Sequence, residues 1–310
     1  MSAQVSDAVL ATTIDHFIPK LEDNIFTSKP FLYALQQGGR IQNFTGNSIE
    51  VPLMYAEVAN KGSYSETDVF AQAAETGIGN ANFTWKQYYA LISFSGLELA
   101  KNSGKEAVIS LLKARMQQAE LTIAENLDEM LLGDGTGNSS KDWDGLKKIA
   151  ATQDNSVGGL DSTTYTWWDP YKDATNAALT LTRMQTAYNT VSEGNDHPNL
   201  ILTTLTRFGT YEGFLNSYSR FEDPVYADAG FQNLMFKGAP ITFDTYVTAD
   251  YVYFLNLKYL TLAKLDDVWF SASDFLQPTN QDVKYKHIRC YGNLVVSNRS
   301  RQGAITDTTA

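Results

Sequence analysis

Residues 103–133, SGKEAVISLLKARMQQAELTIAENLDEMLLG, constrain the fold more than any other stretch. Val108, Leu112, Met116, Ala119, Ile123, Leu127 and Met130 recur every three or four positions, so one face of a helix is apolar. Ser103 followed by Glu106 has the form of a capping box, and Gly133 supplies a left-handed residue to end the helix. No proline interrupts the stretch, nor any glycine between Gly104 and Gly133. At about 1.5 Å per residue such a helix runs roughly 40 Å. An average globular helix has only about 11 or 12 residues. A helix this long needs a continuous surface to lie on.

The rest of the chain must supply that surface, and 310 residues suffice for one large or two ordinary domains. The net charge of −11 argues against a general nucleic-acid binder, since phosphate contact needs clustered Lys and Arg. Arg289, Arg299 and Arg301 come nearest and read as a solvated strand end. The single cysteine, Cys290, excludes an intramolecular disulfide and reads as a buried, inert thiol. Neither a signal peptide nor an apolar run of about 18 residues is evident, so residence in a reducing cytosol without a membrane span is expected.

Before the helix, residues 1–40 hold one weak helical piece near Val5 to Phe17, then Pro19 and Pro30. Ile25, Phe26, Phe31, Leu32 and Leu35 need a partner surface, so this is an arm laid over its own body or a neighbour. Residues 41–95 read as a long two-stranded ribbon. Ile49, Val51, Leu53 and Tyr55 alternate on the way out, with Pro52 marking an edge. Phe83, Trp85 and Tyr89 alternate on the way back. The acidic, Gly-containing connection between them is far longer than a structural turn requires. A lone ribbon is marginal in water, so its aromatic face docks on another surface.

After the helix the Gly- and Asp-rich LLGDGTGNSSKDWDG is a connector. From about 146 to 256 the texture is mixed α and β. Asp169–Pro170 is expected to open a helix whose stripe is Ala174, Ala177, Leu181, Met184, Tyr188 and Val191. NLILTT reads as a strand, LTRFGTYEGFLNSYS as a second helix, and GAPITFDTYVTADYVYFLN as a turn and strand pair. The remaining residues are strand-like and close the body under the long helix. The expected class is therefore α+β, with an α/β unit inserted into a discontinuous body.

No catalytic constellation emerges. His16, His197 and His287 lack metal-ligand spacing, and no nucleophile elbow is present. Cys290 and His287 fall on opposite faces of a strand. GDGTG fits neither phosphate-binding pattern, and Asp142, Asp144 and Gly145 lack the bidentate Glu of a calcium loop. Glu125, Asp128 and Glu129 read as a solvated or subunit-facing stripe, and Trp167–Trp168 as packing. The expectation is no catalytic, cofactor-binding or metal residues, no cofactor, and no enzyme.

Arm, ribbon, long helix, inserted α/β unit and closing strands occur here in a recognisable order. That order, with GGRIQNFTGNSIEVPLMY entering the ribbon, the helix ending LLGDGTG, and the closing GNLVVSNRSRQGAI, resembles the major capsid protein of tailed bacteriophages. The shell fold of that family is the Hong Kong 97 type. The resemblance implies an N-terminal arm at 1–45, an extended loop at 46–99, and a peripheral domain at 100–145 carrying the spine helix. It implies an axial domain at 146–256 and the rest of the peripheral domain at 257–310. It further implies self-assembly of pentamers and hexamers into an icosahedral shell around packaged double-stranded DNA, built in the host cytoplasm and found in the virion. Phe31, Lys61, Tyr64, Phe70, Trp85 and Tyr89 become inter-subunit contacts. Some family members crosslink a loop Lys to a neighbour's Asn. Lys61 is the only Lys at this ribbon's tip, although an ordinary surface lysine is the simpler reading. The arm-like segment begins near Met1, so a separate scaffolding protein is expected, with a portal protein as a further partner and no sequence-specific nucleic acid. The alternative is an encapsulin-like bacterial compartment shell enclosing a cargo enzyme.

Overall fold

The computed structural model describes residues 29–70, 77–101, 105–215 and 233–309. Ser103 and the side chains of Val108, Leu112 and Met116 lie outside the described residues, as does the expected helix near Val5 to Phe17.

Helix α1, Pro30–Gln37, starts on a proline at its first position, where the missing N–H costs nothing. It stops at Gly38–Gly39, where Gly39 turns left-handed (φ 61°) and Arg40 N–H returns to Leu35 O at 2.8 Å. Strands β1 (Ile41–Asn43), β2 (Ile49–Met54), β3 (Ile78–Phe83) and β4 (Lys86–Ser95) follow, then the short α2, Gly96–Lys101. The long helix is α3, Lys105–Leu132. Its buried face is Ala119, Ile123, Ala124, Leu127 and Leu131, at the three-and-four spacing expected of it. Gly133 is not left-handed; that conformation falls to Gly135 (φ 73°).

A five-stranded sheet carries, in order, β1, Leu260–Lys264, Val283–Val296 and Ser271–Ala272, with β4 also paired along residues 283–292 of the Val283–Val296 strand. Here β13 is Leu260–Lys264, β14 Ser271–Ala272 and β15 the 14-residue strand Val283–Val296. Strand β4 pairs with β15 from Ser95↔Val283 to Lys86↔Gly292. The returning ribbon strand is therefore β3 alone, paired from Ile49↔Phe83 to Met54↔Ile78. The expected single return through Phe83, Trp85 and Tyr89 breaks at Thr84–Trp85, where the chain changes partner and β4 joins the body.

The second sheet has six strands in the order β10-β11-β9-β12-β16-β7. These are Leu234–Phe236, Ala239–Phe243, Leu200–Thr203, Val252–Leu255, Gly303–Ile305 and Tyr171–Asp173 respectively. Strands β11 and β12 are not a pair, since both flank β9. Residues 303–305 close this sheet instead of the other one. The helix expected at Asp169–Pro170 begins eleven residues later, as Leu181–Val191, because Tyr171 is held in extended pairing to β16. Thr180 caps it by accepting from Arg183 N–H at 3.2 Å.

Alternation in β9 and β12 serves two cores at once. Leu200, Leu202, Tyr253 and Leu255 point into the core shared with the long helix and the five-stranded sheet. Ile201, Val252 and Phe254 point into a second core under Leu181–Val191 and the helix Leu205–Leu215. The period of two makes the six-stranded sheet a wall with both faces covered.

Candidate assembly surfaces

The ribbon is anchored at its base and bare at its end. Ile49, Val51 and Leu53 on β2 face Ala81 and Phe83 on β3, all buried. This face docks on the hairpin 156–161, where Asn82 N–H donates to Gly158 O at 2.7 Å. Gly158 is left-handed (φ 62°), and a Cβ there would come within 2.9 Å of Ala81 Cβ and 3.0 Å of the Phe83 ring. Tyr55 stacks on Trp167 with centroids 4.9 Å apart and planes 11° apart, and Trp168 Nε1–H donates to Val157 O at 3.0 Å. The tryptophan pair is thus packing, as expected.

Beyond Tyr55 the described residues leave the ribbon's apolar side chains exposed. Met54 is 83% exposed, Ile78 75% and Val69 96%, with Val58 also exposed. Tyr64 and Phe70 meet edge to face at 5.1 Å and both stay exposed. Lys61 is exposed and ion-paired to Glu57.

Two of the six residues expected at subunit contacts already make contacts inside the chain. Phe31 is fully buried in the main core with Leu32 and Leu35, so this part of the arm lies on its own body. Trp85 is half-buried, packs on the same core, and donates Nε1–H to Gly46 O at 2.9 Å. Tyr89 is 67% exposed on β4, edge-on to His287 at 6.0 Å.

Between β4 and α3 runs a groove of about 860 Å³, lined by Tyr88, Ala90, Ile92, Ala119, Thr122 and Asn126 among others. Asn126 Nδ2–H donates to Tyr88 Oη at 2.9 Å across it, and burial raises the Tyr88 phenol above its ordinary range. At the groove's end Asn138, Ser139 and Ser140 are consecutively left-handed (φ 48°, 59° and 63°). Such backbone costs an L-residue about 1–2 kcal/mol each. Ser140 N–H bonds Thr136 O at 3.0 Å, and Lys86 Nζ donates to Ser140 O at 2.6 Å, holding the turn.

The chemistry-bearing residues stay apart. Burial pushes the Cys290 thiol up to about 12. His197 stacks on Tyr188 at 6.2 Å, and His16 lies outside the described residues. Among the described residues no group of three or more His, Cys, Asp or Glu side chains could hold a metal ion, and no helix is long and apolar enough to cross a membrane.

Two side chains differ from their sequence reading. Arg299 is not a solvated strand end; it is fully buried, donating to Ile149 O at 2.8 Å, Lys148 O at 3.1 Å and Asn155 Oδ1 at 2.5 Å. It takes up carbonyls at the end of helix Leu146–Ala150 that have no helical partner. Asp128 does not share the solvated face of Glu125 and Glu129. It is fully buried on the inner face of α3, with Lys29 Nζ 3.5 Å from its Oδ2. Burial, and then the neighbouring Asp244 carboxyl, push it up to about 8 against the pull of Lys29.

No protein-family model matches the chain, and no curated protein sequence does. Its fold does match solved structures. A capsid asymmetric-unit chain of cyanophage A-1(L) aligns with TM-score 0.65 and 18% identity, over 88% of this chain and 91% of that one. A capsid chain of a native GTA particle aligns with TM-score 0.60 and 12% identity, over 89% and 90%. The SrpI encapsulin of Synechococcus elongatus aligns with TM-score 0.57 and 10% identity, over 87% and 85%. The α+β fold of this chain is that of shell-forming subunits.

Proposed function

We propose that this chain is a major capsid protein of a tailed bacteriophage, and that its work is assembly. The observation that carries the reading is the ribbon: its base is fixed to the body while its end holds out Met54, Val58, Val69, Phe70 and Ile78, exposed among the described residues. Exposed apolar residues gathered on a protruding element mark a contact with another molecule. In a fold shared with shell subunits, the fitting partner is the next copy. Lys61, Tyr64, Phe70 and Tyr89 are then inter-subunit contacts, and the ordering cost of the strap is offset by area covered on neighbours.

In this reading the long helix and five-stranded sheet form the peripheral body, now including β4, and the six-stranded sheet forms the axial unit, now including residues 303–305. Pentamers and hexamers of it close an icosahedral shell around double-stranded DNA, with a scaffolding protein and a portal as partners during assembly in the host cytoplasm. The acidic balance of −11 keeps such a lining from sticking to the DNA it surrounds. An encapsulin-like compartment shares the fold, and the better structural match to the cyanophage capsid chain favours the phage head.

The test is negative-stain electron microscopy of the chain alone and with its neighbouring reading frames, beside a variant in which residues 57–76 are replaced by a short linker. Closed particles from the intact chain and soluble, normally melting subunits from the variant are expected. A strict monomer in every condition overturns the assembly reading. Normal shells from the variant overturn the strap. Particles filled with one enzyme point to the compartment instead.

A further inference from the structure

The buried carboxyl on the long helix has a place in no assembly contact. Asp128 is completely enclosed, and Asp244, at the end of β11, is nearly so. Asp244 Oδ1 accepts from Tyr246 N–H at 3.2 Å, while its Oδ2 is buried with no hydrogen-bond partner. Neither oxygen of Asp128 has one, since Lys29 approaches at ion-pair distance without hydrogen-bond geometry. The Lys29 ammonium also lies 4.9 Å over the Tyr246 ring. The groups bearing on Asp128 are thus the Asp244 carboxyl and the Lys29 ammonium. Two enclosed carboxylates beside one ammonium leave a charge unmatched, which an interior does not tolerate. A single proton resolves it, turning one carboxyl into the donor that the other's bare oxygen lacks.

We propose that Asp128 and Asp244 share one proton in the folded chain, and that this proton, with Lys29 as counter-charge, latches the long helix to the end of the six-stranded sheet. The three residues come from the start of α1, the last turns of α3 and the end of β11. The latch therefore sits where the helix-bearing body, the second sheet and the incoming N-terminal segment meet. Removing the proton sets like charges against each other there and loosens the joint between the sheets.

The sign follows from linkage. A carboxyl whose folded value lies near 8 holds a proton that the unfolded chain, titrating near 4, has already released. The stabilisation is complete below about pH 4 and is lost as pH rises towards about 8. Across that window one bound proton makes the folding constant fall close to tenfold per pH unit.

The test uses the unassembled full chain and the variants Asp128→Asn, Asp244→Asn and Lys29→Met. Difference infrared spectra between pH 6 and pH 9 report a protonated buried carboxyl directly, and urea melts across the same range report its linkage. We expect an un-ionised carboxyl band in the wild type at pH 6 that disappears by pH 9. Either Asn variant should lose that band and flatten the pH dependence of the melts by one proton, so the test survives if one of them fails to fold. Lys29→Met removes the ammonium that favours ionisation, so its transition should move to higher pH. A wild type with no un-ionised carboxyl at pH 6, or Asn variants with unchanged pH dependence, overturns the proposal.

Discussion

Gly145 offers a sharp test of how the long helix is seated. It precedes the helix Leu146–Ala150 in ordinary extended backbone (φ −116°, ψ 176°), which any residue can adopt. A Cβ built on it would nevertheless lie 2.3 Å from Gly133 O, 2.5 Å from Met130 O and 2.8 Å from Gly133 N. All three are backbone atoms at the end of α3, so no side chain can swing aside. Gly145→Ala must push the helix end away by about 1 Å, stretching the 3.2 Å bond from Lys147 N–H to Gly133 O. Overpacking of this kind costs about 1–3 kcal/mol, and rigid backbone puts this case at the upper end. For a chain this long each kcal/mol moves the midpoint by roughly 2 °C, so a drop of about 4–6 °C is expected. Gly209→Ala is the matching control. Gly209 is exposed in the helix Leu205–Leu215 with nothing within 4 Å of a Cβ, so alanine there stabilises by about 0.5–1 kcal/mol. The assay is calorimetry of unassembled subunits with urea melts. A Gly145→Ala chain as stable as wild type would refute the seating of the helix end described above.

Three other outcomes follow from the same packing. Leu127→Asp, fully buried on the inner face of α3, should abolish cooperative folding by placing an unpaired charge in the core, and a soluble, sharply melting product contradicts this. Trp167→Ala removes the ring on which Tyr55 stacks, so the ribbon end should be cleaved faster in limited proteolysis while the global midpoint moves little. Thr136 hydrogen bonds, and then Lys147, hold Asp134 down to about 2. A depressed carboxyl stabilises above its unfolded value near 4 and loses this as pH falls towards 2, so Asp134→Ala should flatten that stretch of the acid melting curve.

The long helix was legible because its period depends on neighbours three and four residues away. Ala119, Ile123 and Leu127 are all on the buried face. The ribbon's existence was legible from the polar, overlong connection between alternating runs. Its return was not, because the alternation continues smoothly across Thr84–Trp85 while the pairing partner changes from β2 to β15, and a period of two carries no record of partner. The helix expected at Pro170 failed for a similar reason: Asp169–Pro170 suits a helix start, yet pairing with residues near 303 keeps Tyr171 extended. Asp128 was invisible as a special carboxyl. It sits beside Glu125 and Glu129 in sequence, and only Lys29 and Asp244, both about 100 residues or more away, make its surroundings unusual. Arg299 likewise gained its meaning only when folding brought the carbonyls of Lys148 and Ile149 to it.

Strand β15 sets a timetable for the chain. Its partner β4 emerges from the ribosome about 200 residues earlier, and Asn293 reaches back 209 residues to Thr84. At about 5–20 residues per second the ribbon and the long helix wait on the order of 10–40 s for the strand that gives them a sheet to lie on. During that interval the helix stripe has no floor, and no neighbour could find a finished surface on the nascent chain. If the chain assembles as proposed, a polysome carrying many such chains at once is thereby kept from premature lattice growth. In that reading the last strands made act as a licence: until they arrive, the sheet that completes a subunit is missing.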